Sequence, residues 1–271
     1  MRFSEEFVQS TKDSLIECVN SASEEIIKIY RSDNFEKTDK KDGSPLTAAD
    51  KASNEIILDR LKKITPSIQI ISEETFETSL LKELPEVYWL VDPLDGTKEF
   101  INKTDEFTVN IALIENGRSV YGIVSAPVQN KTWLGSIFHK EGHDNNTPDV
   151  VRIVMSKSHK TSNDELFLEF LEKSNIKYKI VEKGSSLKLC TLSDNEADIY
   201  PRFGPTSEWD IAAAHAVLNS YGGSVINIEN SIELSYSKTN SILNPYFICT
   251  RNDAIKDNFM PILGDFFKKL V

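Results

Sequence analysis

The chain has 271 residues, 39% hydrophobic and 27% charged, enough to bury a sizeable core as one large domain or two modest ones. Its formal net charge of -11 argues against DNA or RNA as partners, because long polyanions need basic surfaces. A small phosphorylated ligand stays compatible, since bound metals and a few local cations reverse the sign inside one pocket. No apolar stretch reaches the length of a membrane span, and Met1-Arg2-Phe3-Ser4-Glu5-Glu6 lacks the basic start and apolar centre of a signal peptide. Cys18, Cys190 and Cys249 show no CxxC spacing, so neither a disulfide framework nor a zinc knuckle is indicated. The cytoplasm, with or without peripheral contact to the inner membrane, is the expected location.

In chain order, residues 4–30 read as an amphipathic helix, with Phe7, Leu15, Val19, Ile26 and Tyr30 near helical spacing. Residues 39–44 are polar and loop-like. A second helix starts near Thr47, a cap residue, carries Ala52, Ile56 and Leu61 on one face, and stops at Thr65-Pro66. Short apolar strands follow at 68–71 and 87–91. Segments 108–114 and 119–124 flank Asn116-Gly117, a strong hairpin signal, and 133–138 extends the meander. The polar stretch 141–148 is the best domain boundary, giving residues 1–145 and 146–271 as the two halves of the chain. Beyond it come a strand at 151–155, a helix at 164–171, a strand at 178–181, a helix after Gly184, a strand at 197–200 and a helix at 210–221 ended by Gly222-Gly223. Helices, then a mostly antiparallel sheet, then alternating elements imply layered α/β packing.

The chemistry concentrates in acids at the ends of apolar segments. Strand 87–91 runs into Asp92-Pro93-Leu94-Asp95-Gly96-Thr97, strand 68–71 into Ser72-Glu73-Glu74, and Asp50 and Asp210 open helices. Each has a structural explanation. Asp50 suits the helix dipole, Asp210 has capping-box spacing to Ser207, Asp95-Gly96 is a common turn, and Glu73-Glu74 suits a solvated strand end. As a set they suit Mg²⁺, which takes a few carboxylates plus waters and phosphate oxygens. A pair of such ions supplies what hydrolysis of a phosphate ester needs. The Asp-Pro-Leu-Asp spacing is one residue longer than the DxD of aspartyl-nucleophile phosphatases, which favours direct attack by a metal-activated water.

The Asp92 run resembles the first signature of the inositol monophosphatase superfamily, the lithium-sensitive Mg²⁺-dependent phosphatases. Trp209-Asp210-Ile211-Ala212-Ala213 resembles the second. Segment 44–50 and the Ser72-Glu73-Glu74 turn match in order, so the resemblance covers nearly the whole chain. It implies an alternating α-β-α-β-α sandwich and a first ion on Glu73, Asp92 and the Leu94 carbonyl. It implies a second ion on Asp92, Asp95 and Asp210, with Glu74 the carboxylate for a weaker third. Thr97, paired with Asp50, would orient and deprotonate the attacking water, and Gly96 and Thr97 would open a short helix facing phosphate.

Three later runs bear on the ester: Ser156-Lys157-Ser158-His159, Gly184-Ser185-Ser186-Leu187-Lys188 and Tyr200-Pro201-Arg202-Phe203-Gly204-Pro205. Their hydroxyls and cations suit a second phosphate and a polar ring. They resemble the 3′(2′),5′-bisphosphate nucleotidase branch, which removes the 3′-phosphate of adenosine 3′,5′-bisphosphate, a by-product of sulfate transfer. That resemblance makes Gly96, Thr97, Ser156, Lys157, Gly184, Ser185, Lys188 and Arg202 substrate contacts. Lys157 departs from the arginine often present there and offers a point charge in place of a fork. Inositol or sugar phosphates are the alternative substrates. Phe203 and Trp209 are read as core.

Overall fold

The computed structural model describes residues 3–32, 38–39, 45–142, 145–156 and 161–270. Most of the expected polar loop at 39–44 falls outside them, as do Lys157, Ser158 and His159. The chain opens with α1 (Glu5–Arg31), capped by Ser4, whose side chain accepts from the Phe7 N–H. After β1 (Thr38–Asp39) and β2 (Pro45–Leu46), a two-stranded ribbon, comes α2 (Ala48–Ile64), capped by Thr47. Strands β3 (Gln69–Ser72) and β4 (Val87–Asp95) are followed by α3 (Thr97–Ile101). Next come β5 (Thr108–Glu115), β6 (Arg118–Ala126) and β7 (Lys131–Ser136).

The second half holds β8 (Val151–Met155), α4 (Ser162–Lys173), β9 (Tyr178–Glu182), α5 (Leu187–Ser193) and β10 (Ile199–Arg202). It ends with α6 (Glu208–Ser220), β11 (Ser224–Asn227), β12 (Ile232–Glu233), β13 (Phe247–Thr250) and α7 (Asp253–Phe267). The elements from β11 to α7 have no counterpart in the sequence reading.

Two sheets result. One has the order β3-β4-β5-β6-β7, with β3 parallel to β4 and the rest an antiparallel meander. The other, β12-β11-β13-β10-β8-β9, is mixed. Alternation along β4 sends Trp89 and Val91 to one face and Tyr88 and Leu90 to the other. Trp89 and Val91 pack with α1 and α2, whereas Tyr88 and Leu90 pack with residues of α5, α6 and the second sheet. The far face of the second sheet buries Phe167 of α4 and Phe259, Leu263 and Phe266 of α7. The layers therefore alternate α-β-α-β-α. Phe203 and Trp209 lie buried in the core.

Helix α6 is pressed onto the first sheet. A Cβ at Gly122 would stand 2.2 Å from the Ala213 carbonyl oxygen, and one at Gly135 would stand 2.5 Å from Val217 Cα. Any side chain at Gly122 would lift the helix, at a cost of order 1–3 kcal/mol. Ser119 Oγ adds a 2.6 Å bond to the Ala212 carbonyl. At its other end α6 stops as the Gly222-Gly223 pair suggests. Gly222 has φ +85°, its N–H bonds the Asn219 carbonyl, and the Gly223 N–H bonds that of Leu218. This clamping fixes the first turn of α6, where Asp210 is found.

Candidate active site

Strand β4 does not stop at Val91; it continues to Asp95. Asp92 pairs with Asn110 and Asp95 with Thr108, so one extra residue is accommodated between them. In an unbroken strand, positions three apart face opposite sides; a bulge reverses that parity. Pro93-Leu94 thus brings both carboxylates to one side. Parallel pairing of β3 with β4 aligns Ser72 with Val91, which sets Glu73 next to Asp92. Glu73 is thereby close enough for its charge to act on the Asp92 carboxyl. Asp210 arrives from α6, and ligand oxygens of Asp92, Asp95 and Asp210 all lie within 4.8 Å of one another.

So many carboxylates with so little water are unstable as anions. Burial, then the charges of Glu73, Asp95 and Asp210, push the Asp92 carboxyl well above the usual carboxylate range. Burial, then Asp95 and Glu73, do the same to Asp210, against the opposing effects of the Ser207 N–H and Arg202. A hard cation answers this crowding, and an all-oxygen donor set is the one it takes. Each acid also has one oxygen anchored. Asp92 Oδ1 accepts from the Leu94 N–H at 3.1 Å, Asp210 Oδ2 from the Ser207 N–H at 2.9 Å, and Asp95 Oδ2 from the Ser186 N–H at 2.7 Å. The Asp210 bond is the capping contact expected from spacing, and it occupies one edge of the carboxylate.

Asp50 is fully buried and likewise double-sided. Its Oδ2 accepts from the Thr47 N–H at 2.7 Å and the Thr47 hydroxyl at 2.6 Å, while Oδ1 accepts from Thr97 Oγ1 at 3.1 Å. Thr97 Oγ1 is also 3.3 Å from the Leu94 carbonyl oxygen. Gly96, at φ +91°, turns the chain from β4 into α3, and a side chain there would crowd the Glu106 carbonyl and Ser185.

Beside the acids is a cleft of about 120 Å³ that includes Asp95, Gly96, Ser156, Ser185, Lys188, Arg202 and Asp210 among its lining residues. Glu99, Tyr200 and Thr206 line it too, and Tyr200 came into view in the sequence only as part of the run before Arg202. Lys188 is 9% exposed, its ammonium 5.7 Å from the centre of the Tyr200 ring. Among the described residues that ammonium makes no hydrogen bond or close ion pair. Burial pulls its pKa down, Asp95 opposes this, and Arg202 adds to it. Arg202 donates through Nη2 to the Pro205 carbonyl, but among the described residues its buried Nε has no partner, nor has the buried hydroxyl of Tyr200. Gly184 and Ser185 are otherwise engaged here: the Gly184 N–H donates to Glu106 Oε2 at 3.0 Å and Ser185 Oγ to Asp95 Oδ2 at 2.6 Å. A roomier cavity of about 610 Å³ beside His139, His215 and Glu233 shares no lining residue with this cleft and, among the described residues, holds no such cluster of acids.

Residues 8–261 match the model of the inositol monophosphatase family. The chain belongs to that family. Within it, this member is 38% identical over 247 residues to the 3'(2'),5'-bisphosphate nucleotidase CysQ of Salmonella typhimurium, covering 88% of this chain and 98% of the relative. It is 40% identical over 223 residues to the protein of the same name from Buchnera aphidicola, with 79% and 83% covered. The crystal structure of CysQ from Bacteroides thetaiotaomicron, described as a bacterial member of the inositol monophosphatase family, superposes with a TM-score of 0.78 at 33% identity over 89% of this chain and 97% of that one. Among the described residues of this family member, no helix is long and apolar enough to cross a membrane.

Proposed function

We propose that this chain is a Mg²⁺-dependent 3′(2′),5′-bisphosphate nucleotidase that releases the 3′-phosphate of adenosine 3′,5′-bisphosphate to leave AMP. The observation that carries the substrate class is the pairing of an acid cluster with unspent donors in the adjoining cleft. Among the described residues, the buried Arg202 Nε and Tyr200 hydroxyl have no hydrogen-bond partner, and the buried Lys188 ammonium beside them makes no close ion pair. One phosphate is served by the acids' cations; a second anionic group on the same ligand is what would satisfy these donors. The names of the relatives support the same reading.

Glu73, Asp92 and the Leu94 carbonyl would hold one ion, and Asp92, Asp95 and Asp210 the second, with Glu74 the donor for a weaker third. When bound, these cations supply neutralisation of phosphoryl oxygens and acidification of a water. The protein's own part is proton handling and placement. The Thr97 hydroxyl donates to Asp50 Oδ1, which leaves its oxygen lone pair turned to the incoming water. As the water oxygen attacks phosphorus in line, the bond from phosphorus to the ribose O3′ breaks; the water's proton passes to Thr97 Oγ1, the Thr97 proton passes to Asp50, and the departing O3′ takes a proton from solvent to become the ribose hydroxyl. Thr47, donating twice to Oδ2, holds that carboxylate still. Gly96 and Thr97 present backbone N–H groups to the transferring phosphate. Ser156, Lys157, Gly184, Ser185, Lys188 and Arg202 receive the rest of the nucleotide.

In this reading residues 1–145 carry most of the metal ligands and residues 146–271 the substrate contacts, Asp210 bridging the two. Three buried, unpaired cysteines suit a reducing cytoplasm. The deciding experiment is phosphate release with Mg²⁺ from adenosine 3′,5′-bisphosphate beside inositol 1-phosphate and fructose 1,6-bisphosphate. Preference for either of the latter overturns the substrate and leaves the metal chemistry standing; no turnover of any of the three overturns both. Millimolar Li⁺ is expected to inhibit.

A further inference from the structure

We infer that Ser186 and Asn110 are positioning residues that set the spacing between two of the carboxylates, Asp95 and Asp210, and through that spacing the affinity for the cation. The inference rests on the metal-dependent reading above. Ser186 occupies the cap position of α5, where a serine normally spends its hydroxyl on the helix's own N–H groups; here it makes no such bond. Its Oγ is instead 2.6 Å from the Asp210 carbonyl oxygen and 3.0 Å from Asp95 Oδ2, and its N–H adds a 2.7 Å bond to that same Oδ2. One 1%-exposed side chain thus touches the end of β4 and the first turn of α6, two segments remote in sequence.

Asn110 governs how that hydroxyl points. Its Nδ2 donates to Ser186 Oγ at 2.9 Å, filling a lone pair and directing the single hydroxyl proton toward the two acids' oxygens. Asn110 stands directly across from Asp92 in the ladder, so it shares the acids' face of the sheet. Thr108 Oγ1 lies 3.1 Å from Asn110 Oδ1 and 2.7 Å from Ser185 Oγ, and Ser185 reaches Asp95 only by taking up φ +50°. A left-handed serine and a cap serine without its cap bond, side by side and both aimed at one carboxylate, is an arrangement that helix formation alone does not call for. Mg²⁺ demands near-ideal octahedral geometry, so the spacing of its carboxylates weighs directly on affinity. Groups that orient such ligands typically change metal affinity by about 10–100-fold when removed.

The test is Mg²⁺ titration by calorimetry on the full chain, comparing the parent with Ser186→Ala, Asn110→Ala and the double variant. Each single variant is expected to bind Mg²⁺ about tenfold more weakly. The double variant is expected to be no weaker than the worse single one, because both act through one hydroxyl. Turnover of Ser186→Ala should return toward the parent's at saturating Mg²⁺. A purely structural role would lower the melting temperature in chelator and leave the isotherms unchanged. Superimposable isotherms, or losses that add in the double variant, overturn the inference. If Asn110→Ala does not fold, Ser186→Ala decides alone, since it keeps the backbone N–H and removes one oxygen. If the parent itself takes up no Mg²⁺, the metal-dependent reading is what has failed.

Discussion

Thr97 Oγ1 donates to Asp50 Oδ1 at 3.1 Å, while the opposite oxygen of that carboxylate is occupied twice by Thr47. Asp50 is at once the capping-box acid of α2 and the partner of the Thr97 hydroxyl, to which a proton-handling role is proposed above. The two roles separate experimentally. Thr97→Ala should lower kcat by about 10²–10⁴-fold with little change in melting temperature, since it removes only the proton path. Asp50→Asn should lower kcat similarly and also cost about 1 kcal/mol of stability through the weakened cap. Steady-state kinetics beside thermal melts checks both; a Thr97→Ala enzyme with near-normal kcat refutes the proton route.

Asp92 is the most crowded of the acids, buried and facing Glu73, Asp95 and Asp210. Asp92→Asn removes one of the like charges and keeps the shape. In chelator the variant is expected to melt at or above the parent's temperature. Turnover should fall on the order of a thousandfold or more, because several kcal/mol of charge neutralisation leaves with the cation. Retention of rapid turnover would show that the cluster is not the metal site.

The crowding of half-buried Asp95 and Asp210 against buried Asp92 should also make folding depend on an added cation. At about 100 times its dissociation constant, an ion that binds only the folded chain adds about 2.7 kcal/mol. For a chain of this size that raises the melting temperature by roughly 5 °C. Melting in chelator and then with added Mg²⁺ measures it, and Asp92→Asn should lose most of the gain.

Much of this was legible in sequence where the signal is local. The spacing of Leu15, Val19 and Ile26 found α1, and Asn116-Gly117 found the β5–β6 hairpin, both residues taking positive φ as that turn requires. The acids stood out because they close apolar runs. The bulge that turns Asp92 and Asp95 to the same side was not legible, because parity depends on pairing with β5 and not on β4 alone. Strand β4 was accordingly read as ending at Val91. Asn110 was missed, although its one signal is plain: an amide inside the apolar run 108–114. Strands β11 to β13 are four, two and four residues long, too short for periodicity to register, and Pro261 within α7 masks that helix.

Lys188 offers a substrate-specific test. Its buried ammonium faces a cleft and is matched by no carboxylate at close range among the described residues. Lys188→Met keeps the length and apolar stem and removes the charge. KM for adenosine 3′,5′-bisphosphate should rise by about 10–100-fold, the worth of one charge-assisted contact, with kcat nearly unchanged. A substrate with a single phosphate should be affected far less. Equal losses on both substrates would place Lys188 at the reacting phosphate instead.

Away from the site, Asp198 joins the second sheet to its flank and is fully buried. Arg152 donates to its Oδ2 through the backbone N–H at 2.8 Å and Nε at 2.9 Å, and to Oδ1 through Nη2 at 2.7 Å; Arg251 Nε reaches Oδ1 at 3.1 Å. Burial alone would raise this carboxyl's pKa, but the Arg152 and Arg251 bonds outweigh it and hold the pKa below the ordinary aspartate value. The folded state therefore binds fewer protons here than the unfolded chain does. The resulting stability is fully present above about pH 4 and is lost as pH falls through the depressed value. Asp198→Asn should cost about 3 kcal/mol near neutral pH, because the buried Arg251 guanidinium and the half-buried Arg152 guanidinium lose their counter-charge. In strong acid, where the parent's carboxyl is itself protonated, the gap between the two proteins should narrow. Denaturant unfolding of both across that pH range measures the difference, and a gap that stays constant with pH would mean that Asp198 contributes shape and not charge.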